Sequence, residues 1–257
     1  MRIPVSPDRR RKIAFEAPVS SAIPRGEIHV WRMRVAKPEF SREAYLSILS
    51  EGEHARLPGL FHADDRELFI LARGFLRRTL SHYLKESPSE IRFEYGPFGK
   101  PKLSRESPRL EFNLSHSASE ILVAVSADRE IGIDVERTVR EWKRLDRRVF
   151  SECEISELEK LPEEIRRDAF FRGWTQKEAF LKAVGKGMGL PLKEFTFRLD
   201  PRERFALLRS RRRSDESRWE VVEISGLSEH AGALVFERRP ERPRYRIFDE
   251  TLRLKSA

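Results

Sequence analysis

The chain has 257 residues, room for two units of roughly 100–130 residues each. Hydrophobic residues make up 39% and include 17 Phe, enough for proper cores, while 36% charged residues demand a densely charged surface. Lys and Arg outnumber Asp and Glu by 51 to 42, a net charge of +9 that favours acidic partners: nucleic acid, an anionic membrane, a phosphorylated small molecule or an acidic protein. The one cysteine, Cys153, excludes a disulfide framework and a cysteine-based zinc site, and fits a reducing compartment. The basic N-terminus lacks the apolar run of a signal peptide, and the longest apolar runs, such as 68–72 and 121–125, are too short to span a bilayer. The expectation is a soluble, cytoplasmic protein with no membrane contact.

Residues 1–26 read as a flexible, basic, proline-punctuated lead-in. Residues 27–35 alternate as a strand should, and 41–49 open with the helix-capping Ser41. A longer helical pattern over 64–83 carries Leu68, Leu71, Phe75 and Leu76 on one side, with Arg66, Arg73 and Arg77 elsewhere. Residues 91–95, a turn-rich stretch from Gly96 to Pro101, and strands near 110–114 and 120–126 complete a first half. After Asp128 the same order starts again: a strand over 131–136, a short helix over 151–160 capped by Ser151, and a long helix over 162–184. Strands follow at 195–199, 204–208, 219–224 and 231–236. The predicted fold class is therefore α+β: two similar halves, 27–128 and 129–236, related by pseudo-two-fold symmetry, with the active site at their junction. The arginine run 211–213 reads as a loop and 237–257 as an extended basic C-terminal tail.

Two segments carry the chemistry. Gly132-Ile133-Asp134-Val135-Glu136 predicts a short strand in which Asp134 and Glu136, two apart, share one face, while Ile133 and Val135 bury the other. That strand is expected to be central to its half. On the helix from Trp174 to Lys182, Glu178 and Lys182 are four apart and also share a face, flanking an apolar stripe of Phe170, Trp174, Leu181 and Val184. Taken alone the pair could be an ordinary exposed contact worth a few tenths of a kcal/mol. Three carboxylates and a lysine from two rigid elements instead suit a hard divalent cation holding a phosphorylated ligand. Lys177 falls inside the apolar stripe, where it either snorkels or points at a ligand between the halves.

Other segments have two readings each. Phe112-Asn113-Leu114-Ser115-His116-Ser117 looks like a strand entering a turn, offering either phosphate donors or turn caps. A Ser–His hydrolytic pair is excluded because neighbours in sequence cannot adopt the geometry, and no Gly-x-Ser-x-Gly elbow is present. Gly96 to Leu103 is either a plain turn or a loop by which Lys100 reaches a phosphate. Gly185, Gly187 and Gly189 follow a helix and read as its termination.

Together and in this order, Gly99-Lys100-Pro101, the Asn113 to Ser117 segment, Gly132 to Glu136, and Trp174 to Lys182 with Gly185-Lys186-Gly187 resemble the 4′-phosphopantetheinyl transferase superfamily. The length and doubled architecture resemble its larger, monomeric, surfactin-synthetase-type class, over about residues 27–236. The resemblance implies transfer of the phosphopantetheine arm of coenzyme A to a serine of an apo acyl or peptidyl carrier protein, an acidic helical domain, with release of adenosine 3′,5′-bisphosphate. It implies Mg²⁺ held by Asp134, Glu136 and Glu178, with Glu178 as base and Lys182 balancing phosphate charge. It further implies coenzyme A contacts from Lys100, Ser115 and His116, shaping of the adenine side by Gly99 and Pro101, and structural supports at Trp174 and Asn113. The class often carries an arginine for the 3′-phosphate where this chain has Leu68; Arg66 and Arg73 are the neighbouring candidates. The competing reading, a basic nucleic-acid-binding or catalytically inactive scaffold protein, predicts aromatics interleaved with the basic runs, which this sequence lacks, and leaves the carboxylates unexplained.

Overall fold

Strand β1 (Glu27–Arg34) is buried along nearly its whole length, so it needs apolar cover on both faces. A computed structural model, describing residues 22–104, 110–138, 142, 146–185, 189–210 and 213–249, shows what supplies it. The helices α1 (Arg42–Leu46) and α2 (Glu51–Arg56) lead into α3 (Ala63–Leu84). After α3 come β2 (Phe93–Tyr95), β3 (Pro101–Leu103), β4 (Glu111–Ser117) and β5 (Glu120–Ser126). The second half runs β6 (Ile131–Arg137), α4 (Asp146–Val149), α5 (Glu152–Lys160), α6 (Glu163–Val184), β7 (Thr196–Phe197), β8 (Leu207–Arg209), α7 (Arg213–Arg218), β9 (Trp219–Glu223) and β10 (His230–Glu237). A last strand, β11 (Arg244–Asp249), follows.

The two halves repeat one plan. In the first, β1 pairs with β5 and β5 with β4; in the second, β6 pairs with β10 and β10 with β9, all antiparallel. Each half adds a small hairpin, β2–β3 or β7–β8, and a helix of 22 residues. Each also has a capping box at the short helix before the long one, Ser50 with Glu53 and Ser151 with Glu154. The α+β class is thus the observed one. Alternation explains the layers: Trp31, Met33, Ile121, Val123 and Val125 face α3, while Ile28, Val30, Leu122 and Ala124 point the other way. There they meet Ile131, Ile133, Val135, Leu234 and Phe236 of the second sheet in a shared core. On the outer side of that sheet Ala233, Val235, Val221 and Trp219 receive Ala179 and Phe180 of α6.

Three expectations need correction. Residues 237–257 are not simply a basic tail, because β11 returns to the first half and pairs in parallel with β1, from Glu27 opposite Arg244 to Arg32 opposite Asp249. Its Ile247 and Phe248 are buried, which holds it there. Arg213 opens the short helix α7 rather than lying in a loop; Arg211 and Arg212 lie outside the described residues, as does most of the lead-in 1–26. Strand β6 is not central to its half but ends the order β6-β10-β9, and β4 of the other half lies along its outer side. No helix among the described residues is long and apolar enough to cross a membrane.

Candidate active site

The site begins with a missing side chain. A Cβ on Gly132 would collide with the backbone of α6, at the carbonyl oxygen of Ala179 and the amide nitrogen of Ala183. Glycine on β6 opposite two alanines on α6 lets strand and helix meet backbone to backbone. That approach carries Asp134, two residues along β6, onto the last turns of α6, where Lys182 Nζ donates to Asp134 Oδ1 at 2.7 Å. Glu178 lies one turn earlier on the same face, half-buried.

The other wall is β4, and the junction is built from side chains. Asn113 Oδ1 accepts from Ile133 N–H at 2.8 Å, Ser115 Oγ from Val135 N–H at 3.3 Å and Ser117 Oγ from Arg137 N–H at 3.1 Å. The two serine hydroxyls then donate to the carboxylates beside them, Ser115 to Asp134 Oδ1 and Ser117 to Glu136 Oε2, both at 2.9 Å. Ser115 Oγ also accepts from Lys182 Nζ at 2.9 Å, so its one proton and both lone-pair positions are engaged. The segment expected to turn after Leu114 is therefore strand as far as Ser117, because its alternate polar side chains are needed along β6.

Electrostatics favour a cation here. Burial holds the Asp134 carboxyl above its ordinary value; Lys182 opposes that shift and Glu136 adds to it. Glu178 is likewise raised, by burial first and then by Asp134 and Glu136. Asp134 Oδ2 is buried with no hydrogen-bond partner. An orphaned carboxylate oxygen among three acids fits magnesium, which takes one or two protein carboxylates and completes its octahedron with phosphate and water. The acids do not form an all-protein cage: among the described residues no three His, Cys, Asp or Glu side chains converge closely enough to hold a metal.

The remaining candidates surround this core. His116, on β4, is exposed at the rim; enclosure by the walls and the charge of Lys182 hold its imidazole below the ordinary value. Gly99 and Pro101 lie at the tip of the β2–β3 hairpin, where the positive φ of Gly99, 78°, requires glycine. Lys100 reaches from that tip to the junction and donates to Ile131 O at 3.1 Å and Ala183 O at 3.2 Å, and burial lowers its pKa. It thus caps the Ala183 carbonyl at the end of α6, where a cation suits the helix dipole.

Lys177 neither snorkels nor reaches a ligand. It is fully buried, ion-paired with the equally buried Glu154 at 2.8 Å and donating to the carbonyls of Leu192 and Phe195. Arg73 and Arg77, expected outside the apolar side of their helix, are buried on Glu53 in the corresponding position of the first half. Arg73 also donates to the Tyr95 hydroxyl, and Arg66 to the carbonyls of Leu60 and Phe61, so both candidates for the 3′-phosphate have partners within their own half. Asn113 is a support, as expected, and Trp174 stacks half-buried on Phe170. Ser117, read from the sequence as a phosphate donor or a turn cap, instead bonds Glu136 and the Arg137 amide, a role that the i, i+2, i+4 spacing of Asn113, Ser115 and Ser117 on one strand face marks.

The family model described as the 4′-phosphopantetheinyl transferase superfamily matches residues 130–235, and that described as 4′-phosphopantetheinyl transferase, N-terminal, matches residues 23–128. The chain is 39% identical over 181 residues to the 4′-phosphopantetheinyl transferase HetI of Nostoc sp., covering 69% of this chain and 76% of that one. It is 32% identical over 157 residues to the 4′-phosphopantetheinyl transferase Sfp of Bacillus subtilis, covering 61% of this chain and 69% of that one. Among solved structures, the Thermotoga maritima holo-[acyl-carrier-protein] synthase aligns over 43% of this chain and 63% of its own at 24% identity, with a TM-score of 0.37.

Proposed function

The chain belongs to the 4′-phosphopantetheinyl transferase superfamily and is an enzyme that transfers phosphopantetheine from coenzyme A to a carrier protein; we propose that Asp134, Glu136, Glu178 and Lys182 perform the transfer with Mg²⁺. In this reading the hydroxyl of a serine on an acidic, helical apo carrier protein attacks the pyrophosphate phosphorus that bears the pantetheine arm. A new P–O bond forms, and the bond to adenosine 3′,5′-bisphosphate breaks. Mg²⁺, when bound, would neutralise the pyrophosphate oxygens as charge develops on them.

The residues of the chain supply the rest. Glu178, whose carboxyl burial and then Asp134 hold above its ordinary pKa, accepts the serine proton, directly or through a water. Lys182 places its ammonium beside Asp134, where it can meet charge on the leaving phosphate. Asp134 and Glu136 would hold the metal, oriented by the β4 hydroxyls. Lys100, Ser115 and His116 would contact coenzyme A, with Gly99 and Pro101 shaping its adenine side. For Lys100 and Ser115 this requires exchanging the present partners for phosphate.

We further propose that the enzyme works as a cytoplasmic monomer and without nucleic acid, since both walls of the site come from one chain and the +9 charge suits an acidic carrier. The observation that supports the reading most strongly is the buried, unpartnered Asp134 Oδ2 among three mutually repelling carboxylates. Intact-mass analysis of apo carrier protein incubated with the enzyme, coenzyme A and Mg²⁺ tests it. A mass gain of one phosphopantetheine arm, lost with EDTA and lost in Asp134→Ala, is expected. Full transfer by Asp134→Ala or in excess EDTA would refute the metal site.

A further inference from the structure

Ser117 stands apart from the residues a phosphorylated substrate would need. Its hydroxyl donates to Glu136 Oε2 at 2.9 Å and accepts from the Arg137 amide at 3.1 Å, so the proton has one direction and the oxygen one orientation. Its main chain is held too. His230 Nε2 lies 3.0 Å from the Ser117 carbonyl oxygen, while Nδ1 lies 2.6 Å from that of Ser228. His230 belongs to β10, opposite Arg137 of β6, and so reaches across β6 to the end of β4. The serine hydroxyl of the first half is thereby gripped by the second half, through Glu136 and Arg137. Glu136 itself is half-buried near the end of its strand.

From this geometry we infer that Ser117 is a positioning residue for the metal site: with its backbone in the β4–β5 ladder opposite Glu120, it fixes the Glu136 carboxylate for a divalent cation. The inference rests on the proposal that Asp134 and Glu136 hold the metal. It repeats, one strand step along, what Ser115 does for Asp134, so β4 presents two hydroxyls at i and i+2 to two carboxylates at i and i+2 on β6. Partners that orient metal-binding carboxylates typically change metal affinity about 10- to 100-fold when removed. A serine that merely satisfied the Arg137 amide would not change it, because that exposed amide can bond water instead.

The test titrates Mn²⁺, as a paramagnetic stand-in for Mg²⁺, into the full-length chain with coenzyme A present, following free Mn²⁺ by electron paramagnetic resonance. Wild type, Ser117→Ala and Ser117→Thr are compared, with melting curves for each. The expectation is that Ser117→Ala weakens Mn²⁺ binding about 10-fold or more with an unchanged melting curve. Ser117→Thr, which keeps the hydroxyl, should bind like wild type. Wild-type Mn²⁺ affinity in Ser117→Ala overturns the inference and leaves the metal site standing. A wild-type chain that takes up no Mn²⁺ overturns the metal site, and the inference with it.

Discussion

Gly132 of β6 lies in backbone contact with Ala179 of α6, and that contact sets the distance between Asp134 and Lys182. Any side chain at position 132 must push the strand off the helix, because the colliding atoms are main chain and cannot rotate away. Gly132→Ala should therefore cost about 1–3 kcal/mol by overpacking, seen as a melting point several degrees lower. Carrier-protein transfer should fall out of proportion to the folded fraction, since Asp134 moves with β6. A variant with wild-type melting and wild-type transfer would show that β6 and α6 can part at this contact without cost.

Glu178→Gln separates chemistry from stability. Loss of the base should lower transfer by about 100- to 10,000-fold. Stability should move the other way. The Glu178 carboxyl has a folded pKa above its ordinary 4.5, so the folded chain binds this proton more tightly than the unfolded one. That contribution is fully present below the ordinary value and is lost as pH rises through the raised folded pKa. The glutamine escapes the loss. The variant should melt with wild type at about pH 4 and above it at about pH 8 in metal-free buffer. Parallel melting curves at both pH values would mean that Glu178 is not strained by its neighbours.

The buried pair of Lys177 and Glu154 should matter to folding rather than to transfer. Lys177→Met leaves an uncompensated carboxylate in the core of the second half, at an expected cost of about 3–5 kcal/mol. Adding Glu154→Gln should recover part of it. Denaturant unfolding of the single and double variants measures both effects. A stable Lys177→Met protein that no longer transfers would revive a ligand role for this lysine.

His116 should bind coenzyme A more tightly in acid. Enclosure by the site walls and Lys182 hold its pKa below the ordinary 6.5, so it is neutral at physiological pH and becomes a cation only as pH falls below that value. A phosphate beside it gains from that charge. The KM for coenzyme A should decrease across that acid range in wild type and stay flat in His116→Ala. Identical profiles for the two proteins would remove His116 from the substrate site.

Much of this molecule was legible from local order alone. Period-two alternation places Asp134 and Glu136 together, the helical repeat places Glu178 with Lys182, and the capping serines Ser41 and Ser151 mark helix starts the structure keeps. These features are set by backbone stereochemistry within a few residues, so any stretch of the right pattern carries them. The doubled order of elements was legible for the same reason. The partners that each face acquires were not. Lys177 reads as a misplaced surface lysine until Glu154, two helices' packing away, is seen to neutralise it. The expected basic tail becomes β11 only because β1 has an edge to receive it. Ser117 reads as a turn residue until β4 is laid against β6, two strands of different sheets joined through side chains rather than by a shared ladder. Chain-local periodicity determined which residues could act together; the close approach that Gly132 permits and the packing of two sheets on one core decided which of them do.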